Sequence, residues 1–274
     1  MQVPASLPAG TDHGSVALVT LAGAGPGDPE LITLKLQKRL QKAEVIITDR
    51  LVNPAIITAH ACPGVRIIQA GKQGYNALSY TQDEVTAFIL EEARKGKRVL
   101  RLKGGDVAFF SNVLDELEAL VNAQIPFEII PGITAASGAS AYAGIPLTAR
   151  GFAQGVRFIA FNPNQQFDDA TFRSLATGTD TIVVYMAVRN LGELTQKLLS
   201  YQADPLKKIA VVEQASTPAQ KIRLSTLKEA MNDFAGQSFA SPSLIIIGDV
   251  LSLHGRFDWF KETGGDPVFN ELQS

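Results

Sequence analysis

Short apolar stretches that end in glycine, aspartate or lysine constrain the fold of this chain most. The first half contains such stretches at residues 16–22, 45–48, 65–69 and 98–102. Clusters of small or polar residues follow them directly, at 23–28, 49–50, 71–72 and 104–106. Apolar runs of this length are typical of buried β-strands, and the clusters are typical of turns.

Helices alternate with these predicted strands. Residues 29–42 and 84–95 carry apolar side chains at helical spacing, and Gly96 is a suitable residue to end the second helix. This alternation predicts an α/β fold with a mainly parallel sheet covered by helices. Because functional residues of such sheets gather beyond the carboxyl ends of the strands, the four clusters indicate a candidate site.

The pattern changes near residue 131. A strand at 127–130 closes the first half, and residues 131–138 open a helix of small residues. Strands of mixed context are then predicted at 157–161, 181–185, 209–212, 221–225 and 243–247, and helices at 191–201 and 226–234. We therefore expect a tail at 1–15, an α/β domain at 16–131, a second α/β domain at 132–262 and a tail at 263–274.

The composition excludes several classes of protein. Of the 274 residues, 46% are hydrophobic and 19% charged, and the formal net charge is −2, without the basic excess typical of nucleic-acid binding. No apolar run has the length of a membrane span, and residues 1–15 lack the pattern of a signal peptide. A single cysteine, Cys62, cannot form an intrachain disulfide, and the three histidines have no ligand-like spacing. We expect a soluble cytoplasmic protein without a metal and without a nucleic-acid or membrane partner.

The glycine loop at residues 23–28 does not match the common nucleotide motifs. The dinucleotide fingerprint G-x-G-x-x-G fails because Asp28 occupies the sixth position. The P-loop pattern fails because Gln73 follows Gly71 and Lys72. Close approach of a ligand and a sharp turn of the backbone both explain such a loop, since glycine serves both purposes.

Seven segments in order along the chain resemble the tetrapyrrole methylase family. They read LAGAGPGDPELITLK, TDRLV, AGK, GKRVLRLKGGD, PFEIIPGITAASGASAYAGIPLT, VVYM and SPSLIIIGDVLSL. The resemblance extends from residue 16 to residue 260. Within the family it is closest to the members that C-methylate uroporphyrinogen III to precorrin-2, for sirohaem and cobalamin.

This resemblance implies two α/β domains with S-adenosylmethionine in the cleft between them, a tetrapyrrole substrate and a homodimer. It implies that Asp49 accepts a proton and that Lys72 donates one. A carboxylate suits this role, because a pyrrole carbon that attacks a methyl group leaves positive charge on the ring nitrogen. The implied cofactor contacts are Pro26, Gly104, Gly105, Asp106, Phe109, Thr134, Ala135, Met186 and Ala215.

Each of these residues also has a purely structural interpretation. Asp49 follows a strand, where aspartate often caps the next helix, and Lys72 is also compatible with a solvated loop. Asp106 is also compatible with a turn, and Met186 with packing in the core. Arg150 is either a surface charge or a partner for a substrate carboxylate, and we favour the second interpretation.

Three segments depart from the family pattern, at residues 73–75, 107–115 and 149–152. Two arginines and a histidine that the family usually has there are missing. In the family these segments bind the acceptor, and charge-assisted hydrogen bonds there contribute about 1.5–3 kcal/mol each. The loss of these residues therefore affects acceptor binding more than cofactor binding. Three hypotheses follow: methylation of uroporphyrinogen III, methylation of another tetrapyrrole, or cofactor binding without catalysis.

Overall fold

Two five-stranded sheets form the framework of the protein in a computed structural model. The structure describes residues 19–70, 80–162, 168–261 and 264–269, and the elements below belong to these ranges. Within them, no helix combines the length and the apolar character needed to cross a membrane.

The first sheet contains the strands β1 (Val19–Gly23), β2 (Val45–Thr48), β3 (Arg66–Gln69), β4 (Val99–Lys103) and β5 (Phe127–Ile130). It is entirely parallel and has the strand order β3-β2-β4-β1-β5. The three central strands are buried along their whole length, as expected for a sheet covered on both faces, whereas the edge strands β3 and β5 are partly exposed.

Helices cover both faces of this sheet. On one face, α1 (Leu34–Leu40) and α2 (Pro54–His60) bury apolar side chains against the strands. On the other face, α3 (Gln82–Arg94) and α4 (Leu114–Asn122) do the same. The carboxyl ends of the five strands therefore meet at one edge of this layered structure.

In the described residues, the second half of the chain contains a mixed second sheet and four α-helices. These elements are α5 (Ala135–Tyr142), β6 (Val156–Ala160), α6 (Asp169–Thr177), β7 (Thr181–Tyr185), α7 (Leu191–Ser200), β8 (Lys208–Glu213), β9 (Lys221–Thr226), α8 (Ala230–Asp233) and β10 (Ser243–Ile247). The sheet has the strand order β6-β7-β10-β8-β9; β6 and β7 pair in parallel, and the other neighbours are antiparallel. One face of the sheet packs against α5 and the other against α6, α7 and α8.

The α/β class is thus confirmed, and the differences from the predictions are local. The helix predicted at 29–42 divides, because Thr33 caps α1 and a short 3-10 turn, Pro29–Leu31, precedes it. The helix predicted at 226–234 is wrong at its start, because strand β9 continues to Thr226. The helices α2, α4 and α6 were not predicted, although Asn53 and Pro54 form a clear start signal for α2.

Glycines let the carboxyl ends of β1, β4 and β5 touch. Gly25 and Gly105 exchange two backbone hydrogen bonds, of 3.0 and 2.7 Å. A Cβ atom on Gly23 would lie 2.5 Å from the carbonyl oxygen of Gly105, and one on Gly132 would lie 2.8 Å from the carbonyl carbon of Gly23. Backbone packing within the protein therefore requires Gly23 and Gly132.

We expect Gly132→Ala to destabilise the protein by about 3 kcal/mol, because the added methyl group overlaps backbone atoms that cannot move aside. Gly64→Ala is a suitable control: Gly64 has φ +80° but open space around it, so alanine there costs about 1 kcal/mol of backbone strain. Urea unfolding of both variants measures the difference. Equal losses for the two variants would contradict close backbone packing at Gly132.

Candidate active site at the junction of the two sheets

Loops at the carboxyl ends of β1 and β8 meet where the two sheets adjoin. The backbone N–H of Asp28, in the glycine loop after β1, donates to Ser216 Oγ at 3.2 Å. A Cβ atom on Gly27 would lie 3.0 Å from the carbonyl oxygen of Ala215. The segment that carries Ala215 therefore packs directly against the glycine loop.

The glycine loop is also held by α2 and α5. Asn53, which is buried and caps α2, donates from Nδ2 to the carbonyl oxygen of Gly27 at 2.7 Å. Gly138 of α5 leaves space for the ring of Pro26, since a Cβ atom there would lie 2.5 Å from Pro26 Cγ. These contacts fix Pro26 at the start of α5.

Asp106 joins the end of β4 to the segment after β5. Its Oδ1 accepts from the Ala108 N–H and its Oδ2 from the Gly132 N–H, both at 2.7 Å. Gly105 lies beside Ala135, whose nitrogen would be 3.5 Å from a Cβ atom on Gly105. The predicted residues Gly104 to Asp106 are thus next to Thr134 and Ala135, and the Asp106 carboxylate positions this backbone.

Tyr185, at the end of β7, connects this region to the second sheet. Its hydroxyl lies 2.8 Å from Thr134 Oγ1 and accepts from the Ala136 N–H at 3.2 Å. Burial raises the pKa of Tyr185, so the hydroxyl stays neutral. Its ring lies 4.6 Å from the ring of Phe110, and Phe109 packs edge-on against Phe158 at 5.7 Å. The loop after β4 therefore reaches across to the second sheet.

Met186 is not a core residue, so the interpretation of its side chain as core packing is wrong. It is 67% exposed and has φ +58°. Left-handed backbone is uncommon for residues other than glycine and often marks functional sites. Of the seven such residues in the described ranges, five follow the ends of β4, β7 and β8: Phe110, Asn112, Met186, Gln214 and Ser216.

Asp49 directly follows β2 and does not cap a helix. Its Oδ1 accepts from the Leu51 N–H at 2.9 Å, and Asn53 is the cap of α2. Burial raises the pKa of the Asp49 carboxyl, while the charges of Arg101 and Lys103 oppose that rise. A carboxylate with a raised pKa is a better base than an ordinary aspartate.

A pocket of about 130 Å³ lies beside Asp49. Its wall includes Arg50, whose two terminal nitrogens each lie 3.3 Å from Ser241 Oγ of the second half. Burial lowers the pKa of Arg50; the charge of Asp49 opposes this, and repulsion by Arg189 lowers the pKa further. Val268, near the carboxyl terminus, also lines this pocket, and its N–H donates to Gln214 Oε1 at 3.1 Å.

Two predicted residues are not part of this cluster of contacts. Lys72 lies outside the residues that the structure describes. Arg150 is exposed in a turn closed by the bridge between Ala149 and Ala153. Within the described part of the chain, its side chain makes no ion pair, although Ala149 and Phe152 pack in the same apolar cluster as Tyr185.

A second cavity is present in the described residues, away from this site. A larger cavity of about 320 Å³ lies at the opposite edge of the second sheet and includes Gly178, Lys207 and Gly248. Lys207 Nζ donates there to the carbonyl oxygen of Gly178 at 2.8 Å. In the described ranges, no group of three or more His, Cys, Asp or Glu side chains is arranged to hold a metal ion.

Sequence reasoning missed several residues of this site. Arg101 and Lys103 alternate within a buried strand, which is an unusual position for two cations and was a usable signal. Tyr185 precedes Met186 in the segment VVYM and had no signal of its own. The contact between Arg50 and Ser241 joins residues 191 positions apart, which a single sequence does not reveal.

Comparison with known proteins identifies the family of this chain. Residues 18–231 match the family model for tetrapyrrole (corrin/porphyrin) methylases. A siroheme synthase 2 from Cronobacter sakazakii is 41% identical over 252 residues, which are 91% of this chain and 53% of that protein. The chain thus spans about half the length of the curated relatives that it matches.

Solved structures are similar along most of the chain. Uroporphyrin-III C-methyltransferase from Thermus thermophilus, complexed with S-adenosylhomocysteine, is 34% identical with a TM-score of 0.72, covering 86% of this chain and 99% of that one. A cobalt precorrin-4 methyltransferase is 26% identical with a TM-score of 0.77, covering 88% of this chain and 98% of that one. The chain belongs to the tetrapyrrole methylase family.

Proposed function

We propose that this protein transfers methyl groups from S-adenosylmethionine to carbon atoms of uroporphyrinogen III, forming precorrin-2 for sirohaem or cobalamin synthesis. The observation that carries the proposal is that the implied cofactor residues and Asp49 lie at one junction of the two sheets. Family membership and the uroporphyrin-III C-methyltransferase of Thermus thermophilus support the same reaction class.

The residues at the junction fit the methyl donor. Phe109 and Phe110 are 39% and 40% exposed, and the ring of Phe110 contacts Tyr185, the residue before the exposed Met186. Exposed apolar side chains therefore follow the ends of both β4 and β7. Such surfaces suit a flat base and a sulfonium, which is attracted to aromatic faces. The donor supplies a methyl group that a carbon nucleophile displaces. We assign its binding to Pro26, Gly104, Gly105, Asp106, Phe109, Thr134, Ala135, Met186 and Ala215.

Asp49 is the proposed base. Attack by a pyrrole carbon leaves positive charge on the ring N–H, and a carboxylate beside it stabilises the charge and takes the proton. The Leu51 N–H holds one carboxylate oxygen of Asp49. Burial, which raises the pKa of this carboxyl, makes it a stronger proton acceptor once ionised. Lys72, the proposed proton donor, stays a prediction from the resemblance.

Arg50 and Arg189 are the proposed carboxylate partners of the acceptor. Arg50 borders the pocket beside Asp49. Arg189 lies close enough to Arg50 to lower the pKa of the Arg50 guanidinium. Neither is within ion-pair distance of a carboxylate among the described residues, although the charge of Asp49 also acts on Arg50, so both guanidinium groups can contact a substrate carboxylate. A substrate with several carboxylates would neutralise this repulsion, which compensates for the arginines missing at 73–75 and 107–115. Arg150, which is exposed and makes no ion pair among the described residues, stays a further predicted partner for a substrate carboxylate.

Anaerobic incubation of the purified protein with uroporphyrinogen III and S-adenosylmethionine should yield a product with two added methyl groups, detected by mass and absorbance. Asp49→Asn should lower turnover about 100-fold or more, because general-base catalysis contributes that much. Its affinity for the donor, measured by calorimetry, should stay unchanged. Asp83→Asn, on the exposed start of α3, is the control and should keep full activity.

Two outcomes would contradict this reaction. An unchanged rate for Asp49→Asn would remove the proposed base. Donor binding without any product from uroporphyrinogen III would favour another tetrapyrrole acceptor or a protein without catalysis. The similarity to a cobalt precorrin-4 methyltransferase makes later corrinoid precursors the first alternatives for a screen.

Arg50→Ala and Arg189→Ala should each raise the KM for the acceptor about tenfold, because each removes a charge-assisted contact to a carboxylate. The KM for the methyl donor should not change. Steady-state kinetics at two salt concentrations measure both constants, and the defect should shrink at high salt because screening weakens the wild-type attraction. Arg94→Ala, which removes an exposed arginine at the end of α3, is the control. An unaltered acceptor KM in both variants would exclude this role.

Two expectations about the assembly accompany the proposal. The resemblance supports a homodimer, which sedimentation analysis tests directly. A cytoplasmic location, which the single cysteine supports, stays a prediction. This chain matches 53% of the length of the Cronobacter sakazakii relative. We therefore propose no reaction that belongs to the unmatched part of that protein.

A further inference from the structure

A buried ion cluster lies beside Asp49, formed by Arg101, Lys103 and Glu116. The side chains of Arg101 and Lys103 are 4% and 3% exposed, and that of Glu116 is fully buried. Arg101 Nε lies 3.0 Å from Glu116 Oε1, and Lys103 Nζ lies 3.1 Å from Glu116 Oε2. Buried charges are costly, so a cluster next to a candidate base calls for an explanation.

Strand register places the ion cluster next to Asp49. Arg101 and Lys103 share one face of β4, because successive side chains of a strand alternate. Ile47 pairs with Arg101 and Thr48 with Leu102, so the next residue, Asp49, falls opposite Lys103. The carbonyl oxygen of Leu102 accepts from both the Asp49 N–H at 3.4 Å and Arg101 Nη1 at 3.2 Å.

The charges of the ion cluster do not balance without Asp49. Two cations face one carboxylate, which leaves a single positive charge in the interior. Within the described residues, Arg101 and Lys103 form ion pairs with no acid other than Glu116. A buried net charge costs several kcal/mol, on the order of the stability of a domain. Burial and the charge of Arg101 lower the pKa of Lys103. An ionised Asp49 carboxylate opposes this lowering and offsets the excess positive charge.

We propose that Arg101, Lys103 and Glu116 are positioning residues that set the charge state of Asp49 in the reaction. The inference rests on the proposed function, in which Asp49 is the base. The two cations favour the ionised carboxylate of Asp49. Glu116 weakens this effect because it forms an ion pair with each cation. The two cations thereby offset part of the burial cost of the Asp49 carboxylate, which keeps its basicity.

The other charged groups around Asp49 are few. From β4 it faces Arg101 and Lys103, from α4 it faces Glu116 through them, and Arg50 follows it in its own turn. The backbone N–H groups of Leu51 and Gly104 also lower its pKa. Within this set, the side chains of the ion cluster are the most deeply buried, whereas Asp49 and Arg50 are half-buried.

The ion cluster also anchors the loop that carries Phe109 and Phe110. Lys103 Nζ donates to the carbonyl oxygen of Ser111 at 2.7 Å. Gln82 Nε2, at the start of α3, donates to Glu116 Oε1 at 3.0 Å. Lys103, whose charge acts on Asp49, is therefore hydrogen-bonded to the loop that borders the proposed donor site.

Opposite effects of two substitutions test the proposal. Lys103→Met removes a cation, so the pKa of Asp49 should rise and its proton affinity should increase about tenfold. Glu116→Gln frees both cations, so the pKa of Asp49 should fall. The acidic limb of the kcat/KM profile should move to higher pH in the first variant and to lower pH in the second.

The measurement is a ¹³C NMR titration of the Asp49 carboxyl in protein labelled at aspartate, with Asp49→Asn to identify the resonance. Lys103→Arg keeps the charge and should restore the wild-type titration. Glu92→Gln is the matched control, because Glu92 is also buried and paired with cations but lies at the amino-terminal edge of the sheet. Thermal unfolding shows which variants are folded.

The outcomes separate this inference from the proposed function. Opposite shifts in Lys103→Met and Glu116→Gln, with none in Glu92→Gln, support the proposal even when no methyl transfer is detected. A wild-type Asp49 titration in folded Glu116→Gln overturns it, whatever the activity and whether or not Lys103→Met folds. Methyl transfer with an unmoved pH profile in both variants would leave the reaction intact and also overturn the role of the ion cluster.

Discussion

Close contact between the backbones of Gly23, Gly105 and Gly132 is the constraint on which the site depends. It brings the carboxyl ends of β1, β4 and β5 within hydrogen-bonding distance of one another, where side chains would normally separate them. Asp106 then adds its two hydrogen bonds to Ala108 and Gly132. Three loops that would otherwise diverge from a twisted sheet are thus combined into one surface.

Polar contacts then join this surface to the second half of the chain. Tyr142 of α5 donates to Asp28 Oδ2 at 2.6 Å, and burial together with this hydrogen bond raises the pKa of Tyr142 to about 12. The phenol therefore stays protonated and remains a donor throughout the physiological pH range. Gln220 donates to the carbonyl oxygen of Tyr142 and accepts from the Ser216 N–H. The junction is held by satisfied buried groups, which favours a fixed geometry.

Much of this arrangement was predictable from the sequence. Buried strands such as Val45–Thr48 and Thr181–Tyr185 were located at their observed bounds, because apolar runs between turns are a strong local signal. The clusters at the strand ends marked the site because parallel strands end at one edge. The glycine loop left two explanations open, and the structure adds a third, because Gly23 and Gly27 each lie too close to neighbouring protein atoms to carry a Cβ atom.

Other features depended on contacts between distant residues. Arg101 meets Glu116 only because α4 returns across the sheet, and Thr226 is in a strand because it pairs with Lys208. Local pattern assigned that residue to a helix, since Thr226 precedes a run with helical spacing. The exposure of Met186 was equally hidden, because an apolar residue after a buried strand is typical of the core.

The balance of charge around the site suggests how this chain handles a polyanionic acceptor without the usual arginines. Its interior cations, Arg101 and Lys103, are committed to Glu116 and Asp49, so they are not available to a substrate. The cations that remain near the pocket are Arg50 and Arg189, whose mutual repulsion is opposed only in part by the charge of Asp49 on Arg50. Binding of a carboxylate between them would relieve that repulsion, so selectivity for a charged acceptor arises from unfavourable charge in the free protein as well as from direct contacts.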